Sequence, residues 1–150
     1  MRYLGLDLGT KTLGVSISDK TGTIASFYDS FRYSDEEELI NKINDIVLKE
    51  SVEVIVLGLP KNMNGSLGFR ANETMEFKEK LEKVVKKEVV LEDERLTTRV
   101  ATDVLINADV SRKKRKGVID GLSAVVILQS YLDRRSKLWV NKKRKWLMKN

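Results

Sequence analysis

Residues 3–19 read YLGLDLGTKTLGVSISD, two apolar runs joined by a short turn of Gly, Thr and Lys, with an aspartate inside the first run. Short apolar or alternating runs bounded by turn residues mark β-strands. Residues 2–8 (RYLGLDL) and 14–18 (GVSIS) therefore read as neighbouring strands, and 23–29 (TIASFYD), after the turn DKTG, as a third. Three short strands joined by tight turns make an antiparallel meander. Asp7 is the anomaly within it. An ionised carboxylate in an apolar strand is costly unless it is paired or coordinated. Either Asp7 pairs locally with Lys11 or a backbone N–H, or it faces a metal-filled cleft.

Outward from this stretch, Ser34 with Glu37 three residues later has the form of a capping box. The apolar positions Leu39, Ile40, Ile43, Ile46 and Val47 then predict a helix over about 35–50. VEVIVLGLP (52–60) is a nearly continuous apolar strand, the pattern of a strand buried on both faces in a parallel arrangement. Phe77, Leu81, Val84 and Val85 form a second helical stripe, and EVVLED (88–93) a fifth strand. Val100, Val104, Leu105 and Ala108 form a third helix after Thr97 or Thr98, and a last helix runs from about Val118 to Arg134. The predicted order is β-β-β-α-β-α-β-α-α. The helix–strand alternation in the second half demands crossover connections that cover both faces of a sheet. The expected fold is α/β with the connectivity of the ribonuclease H-like fold: a mixed five-stranded sheet, three antiparallel strands plus two parallel, with helices on both faces.

Composition narrows the chemistry. A chain of 150 residues suits one domain with a real core. It contains no cysteine and no histidine. That excludes disulfides, thiolate metal sites and nucleophiles, Ser-His triads and the usual zinc ligands, leaving carboxylates, hydroxyls, Lys, Arg and Tyr. No segment resembles a signal peptide, and no apolar run approaches membrane-spanning length. A soluble cytoplasmic protein is the expectation.

The carboxylates of interest are far apart in sequence: Asp7 in the first strand, Asp93 and Glu94 in LEDERLTT (91–98), and Asp120 in KGVIDGLSAVVIL (116–128). Strand ends and helix starts converge at one edge of such a sheet, so the fold that separates them in sequence can gather them in space. Oxygen-only donors suit Mg²⁺ or Mn²⁺, which keep waters and leave room for phosphate oxygens. A pair of such ions can cleave a phosphodiester without histidine. Asp7, Asp93 and Asp120 are the expected metal ligands, with Glu94 in the catalytic set. Side chains alternate along a strand, so one of Asp93 and Glu94 should reach the cleft, and the phase shared with Val89 and Leu91 favours Asp93. The loop GLPKNMNG (58–65), with Asn62 at its middle, either lets backbone N–H groups approach a phosphate or is an ordinary connection. Arg95 either clamps a phosphate or pairs with Asp93 or Glu92.

The blocks DLGTKTLGVSISD (7–19), VLGLPKNMNGS (56–66), EDERLTT (92–98) and IDGLSAVVILQSYL (119–132) resemble, in order, the four signature blocks of the YqgF/RuvX family. That family is described as Holliday-junction-resolvase-like and as pre-16S rRNA processing nucleases. The resemblance covers residues 3 to about 132. It implies a ribonuclease H-like fold and a divalent-metal nuclease of the bacterial cytoplasm, with an acidic set of Asp7, an acid of the DER block and Asp120. Asn64 stands where the family commonly carries Asp, and SLGF (66–69) replaces a more acidic, proline-containing continuation. The expected activity is endonucleolytic cleavage of structured nucleic acid, rRNA precursor first and branched DNA second, by a monomer or a homodimer. The rivals are a catalytically silent RNA-binding module and a phosphate-loop ATPase, the latter disfavoured because its architecture needs two such lobes.

The net charge of +6 is unevenly placed. Residues 134–150 hold eight of the 28 Lys and Arg and no acid, leaving 20 basic against 22 acidic residues elsewhere. A second basic cluster is Arg112, Lys113, Lys114, Arg115 and Lys116. Such blocks are either solvated segments or contacts for a polyanion. The expectation is that Lys11, Asn62, Arg95, the 112–116 cluster and Lys142, Lys143 and Arg144 contact nucleic acid. The expected division is a nuclease domain over 1–135 and a basic tail over 136–150. If the tail is helical, Trp139 and Trp146 lie seven residues apart near one face, where they could meet a membrane, the domain itself or unpaired bases; nucleic acid is the expected partner.

Overall fold

The computed structural model describes residues 1–60, 68–93 and 112–149, the segments 112–120 and 137–142 by their backbone. Strands β1 (Tyr3–Leu8), β2 (Thr12–Ser18) and β3 (Ala25–Arg32) are followed by α1 (Glu36–Glu50), β4 (Val54–Leu59), α2 (Phe69–Val85) and β5 (Glu88–Asp93). The long helix α3 (Arg112–Lys149) ends the described chain. The sheet order is β3-β2-β1-β4-β5. β1–β2 and β2–β3 are antiparallel, and β1–β4 and β4–β5 are parallel. This is the expected mixed five-stranded sheet. The third helix expected near residues 97–108 lies outside the described residues.

Alternation along the strands builds two cores. Leu4 and Leu6 of β1 share one face with Val15, Ile55, Leu57 and Val89, under Leu39, Ile43 and Val47 of α1 and Phe77, Leu81 and Val85 of α2. Tyr3, Val54 and Val56 share the other, under Ile127, Leu128 and Leu132 of α3. Each fully buried Leu or Ile contributes about 1.5–3 kcal/mol. Helices therefore cover both faces, as the continuous apolar reading of β4 requires, and every residue of β4 is buried.

Three local expectations need correction. The N-cap of α1 is Asp35, whose carboxylate accepts from the Glu38 N–H at 2.8 Å, while Glu38 Oε2 accepts from the Ser34 N–H at 3.0 Å. The cap is displaced by one residue, because Asp accepts as well as Ser and both precede a Glu at the required spacing, and the Glu38 carboxylate reaches back to the N–H before the cap instead of that of Asp35. Val84 is 45% exposed; the buried stripe of α2 runs through Ala71, Thr74, Phe77, Leu81 and Val85. The last helix does not stop at Arg134. The apolar stripe ends there, but no Gly or Pro occurs after Gly121 and the tail is rich in Lys, Arg and Leu, so helix propensity carries it to Lys149.

β3 pairs with β2 through an irregularity: Val15 faces Asp29 and Ser16 faces Phe27, leaving Tyr28 as the extra residue of a β-bulge. The Tyr28 hydroxyl hydrogen-bonds Glu50 Oε1 on α1 at 3.1 Å.

α3 lies against the sheet at very close range. Ser16 Oγ donates to the Ala124 carbonyl at 2.7 Å, and a Cβ added at Gly5 would come within 2.7 Å of Leu128 Cβ and 3.0 Å of Ala124 O. Glycine is required there. The helix runs counter to β1: Tyr131 and Arg135 meet Tyr3, with ring centroids 5.9 Å apart for the tyrosines, and Ala124 and Leu128 meet Gly5. The N-terminal part of α3 consequently lies toward the end of β1 that carries Asp7, and its C-terminal part leaves past the opposite edge.

Candidate active site at the edge of the sheet

Asp7 is the fifth residue of β1, half-buried and paired in register with Gly14 of β2. Its phase is that of Tyr3 and Gly5, so it belongs to the face covered by α3, while Leu6 and Leu8 turn toward α1 and α2. Continuing the β1–β4 register one step beyond Leu6–Leu57 brings Asp7 beside Gly58, and Gly58 pairs with Glu92 of β5. Asp7, Gly58 and Glu92 thus form one row across the α3 face, with a residue lacking a side chain between two acids. At about 4.8 Å between strands, the two acidic Cα positions stand roughly 10 Å apart.

Glu92 is the residue that reading the sequence missed as a member of this face. It is 3% exposed, and one carboxylate oxygen accepts from Arg134 of α3. Its other oxygen, Oε2, is buried with no hydrogen-bond partner among the described residues. The ion pair with Glu92 holds the Arg134 pKa above its ordinary value. Three acids in succession, Glu92, Asp93 and Glu94, give no hint of which faces which way until the register of β5 is known.

Asp93 is half-buried at the end of β5 opposite Leu59. It does share the phase of Val89 and Leu91, but that phase is the α1/α2 face, and Asp7 belongs to the other. Asp120 lies in the N-terminal part of α3, one turn before Ala124. Glu94, Arg95 and Asn62 lie outside the described residues, and Arg112, Lys113, Lys114, Arg115, Lys116 and Lys142 are described as backbone positions of α3. Lys143 and Arg144 are exposed near the far end of that helix and do not join the Asp7 edge. Among the described residues, no group of three or more acids is close enough to hold a metal ion.

The β1–β2 turn beside Asp7 is firmly tied. Gly9 N–H donates to Thr12 O at 2.8 Å, and the Tyr33 hydroxyl donates to the carbonyls of Gly9 at 2.9 Å and Thr10 at 3.1 Å. Burial, together with the charges of Glu36 and Glu73, raises the Tyr33 pKa, so the hydroxyl stays protonated as a donor. Lys11 is exposed in this turn. On its α1/α2 side lies an open cleft of about 620 Å³ bordered by Lys11, Tyr33, Glu36, Arg70 and Glu73. The mixed charges of that cleft contrast with the acids of the α3 face.

The chain has clear relatives. Residues 1–134 match the family RuvX, described as Holliday junction resolvase. A Bacillus cytotoxicus protein, provisionally named pre-16S rRNA nuclease, is 49% identical over 135 residues, covering 89% of this chain and 98% of the relative. A Bacillus mycoides protein of the same name is 50% identical over 135 residues, with the same coverage. Among solved structures, Thermus thermophilus RuvC in complex with a Holliday junction substrate superposes with a TM-score of 0.58 at 10% identity, covering 91% of this chain and 96% of that one. The fowlpox virus Holliday junction resolvase does so with a TM-score of 0.53 at 15% identity, covering 89% and 99%. At these identities the structural likeness establishes a shared ribonuclease H-like fold.

Proposed function

This chain belongs to the RuvX family of Holliday junction resolvases and is a nuclease, and on that premise we propose that it is a divalent-metal-dependent endonuclease acting in the cytoplasm on structured nucleic acid, with the precursor of 16S rRNA as substrate. The observation that carries the proposal is Asp7: a half-buried acid on a central strand, on the α3 face, in a row with the buried acid Glu92 across a glycine.

The donor chemistry fits a hard cation. The chain has neither His nor Cys, Gly58 puts no side chain between Asp7 and Glu92, and Glu92 presents a buried carboxylate oxygen with no partner among the described residues. Asp7, an acid of the 93–94 block and Asp120 would hold Mg²⁺ or Mn²⁺. The ion supplies Lewis acidity toward a phosphoryl oxygen and the acidity that activates a water. The chain's own residues do the rest. Pairing of Asp7 with Gly14 of β2, directly after the β1–β4 pairs that end at Leu6, holds its backbone within the sheet. Lys11, exposed in the tied turn beside Asp7, is the first candidate for contact with a substrate phosphate, and Arg95 the second.

Of the two acids in the block, strand phase supports Glu94. Glu92 shares the face of Asp7 and Asp93 takes the opposite one, and period-two alternation, if continued past Asp93, would return Glu94 to the face of Asp7. A second substrate, branched DNA, is favoured by the family description and would suit a two-fold dimer making paired cuts. The deciding experiment is cleavage by the purified protein of a pre-16S rRNA 5′ segment and of a four-way DNA junction, with Mg²⁺, with Mn²⁺ and with chelator. Metal-dependent cutting of the RNA at discrete positions is expected. Binding without cleavage of either substrate under all conditions would leave a silent RNA-binding module in its place.

A further inference from the structure

The family match ends at residue 134, yet α3 continues as one helix to Lys149. Residues 137–149 carry six Lys or Arg, and Asp133 is the last acid of the chain. Residues 143–149 are all exposed, with Trp146 at 62%, Leu147 at 58% and Met148 at 81%. Because α3 runs counter to β1, this extension projects from the edge of the sheet opposite Asp7. At 1.5 Å per residue, the stretch from Gly121 to Lys143 spans roughly 33 Å.

We propose that residues 136–149 form a helical arm that grips the nucleic-acid substrate at a distance from the cut, roughly 33 Å away along α3. The inference rests on the nuclease reading for the identity of the substrate. Charge complementarity selects a polyanion: outside the arm the chain is balanced, with 22 basic against 22 acidic residues, so the arm carries its whole positive excess. The apolar residues argue against a lipid surface. Trp146, Leu147 and Met148 are consecutive and fan over about 200° of the helix circumference at 100° per residue, whereas an interfacial helix needs one apolar face. Two tryptophans near one face with cations on every side of the helix suit stacking on bases and contact with phosphates together.

Both tryptophans of the chain, Trp139 and Trp146, lie in the arm, so tryptophan emission of the full-length protein reports on the arm alone. The test titrates the full chain in chelator, where no cleavage occurs, with RNA duplexes of 8 and 24 base pairs carrying a single-stranded overhang. A full-length K143Q/R144Q/K145Q/K149Q variant is compared with it. The 24-pair RNA should change the emission and bind at least tenfold more tightly than the 8-pair RNA, and the variant should lose most of that length advantage. The salt slope should flatten by about 0.9 for each phosphate that the variant no longer neutralises. Unaltered emission at saturating 24-pair RNA, or equal affinity and salt slope for variant and parent, overturns the proposal. So does emission that responds to vesicles containing phosphatidylserine and not to RNA. If emission responds to RNA while no substrate is ever cut, the arm stands and the nuclease reading falls.

Discussion

Asp7 is flanked by Leu6 and Leu8, whose side chains enter the α1/α2 core, so a change of charge at residue 7 that preserves shape leaves the packing of β1 intact. Asp7→Asn should therefore keep the fold while lowering turnover by at least two orders of magnitude, measured under single-turnover conditions on a substrate the parent cleaves. Turnover within a few-fold of the parent would remove Asp7 from the ligand set. The neighbouring acids separate by strand phase: Glu94→Gln should abolish cleavage, and Asp93→Asn should reduce it only mildly. The reverse order of losses would mean that the chain breaks alternation beyond Asp93. Asp7 stands out in the sequence because a lone acid among apolar strand residues is costly unless it is paired or coordinated. Glu92 does not, since facing is a property of the register with β4, which is absent from the order LEDER. For the same reason the phase that Asp93 shares with Val89 and Leu91 could be read from the sequence, but not that this phase is the α1/α2 face.

The elements depend on a few close approaches. Gly5→Ala would drive a methyl group into Leu128 and the Ala124 carbonyl, and overpacking of this kind should destabilise by about 3 kcal/mol, read as a lowered midpoint in urea unfolding. The β2–β3 turn is held by Asp19, whose carboxylate accepts from the N–H groups of Thr23 at 2.8 Å and Ile24 at 3.0 Å and from the Thr21 hydroxyl. These bonds, that from Ile24 foremost, hold its pKa far below the usual carboxylate range. A carboxyl group with a depressed folded pKa stabilises above its unfolded pKa of about 3.9 and loses that contribution as pH falls further. The difference in thermal midpoint between parent and Asp19→Asn should accordingly be largest near neutrality and shrink between about pH 4 and pH 2; a constant difference would place the turn's stability elsewhere. Strands and short helices were readable because their apolar periods are complete within each element. The end of α3 was not, because burial stops near Arg134 while helix propensity continues.

For the molecule as a whole, the metal-dependent reading requires that Asp7, an acid of the 93–94 block and Asp120 gain from a cation that binds only the folded state. A ligand bound only by the folded state at a hundred times its Kd adds about 2.7 kcal/mol, which for a chain of this size corresponds to roughly 5–10 °C in thermal midpoint. Mg²⁺ or Mn²⁺ should produce such a rise over KCl of matched ionic strength, and Asp120→Asn should diminish it. An identical rise in the variant would show that the ion binds elsewhere. The bulge at Tyr28 bears on how many copies can coexist in a crowded solution. β3 is the outermost strand on its side of the sheet, and a straight, regular outer strand invites another chain to add to it, the first step toward fibrous aggregation. The extra residue interrupts the even spacing of donors and acceptors along that rim, and Asp29 and Arg32 on either side of Phe31 place charge on it. An incoming strand finds no continuous template, so self-association, where it occurs, must use a surface other than this rim.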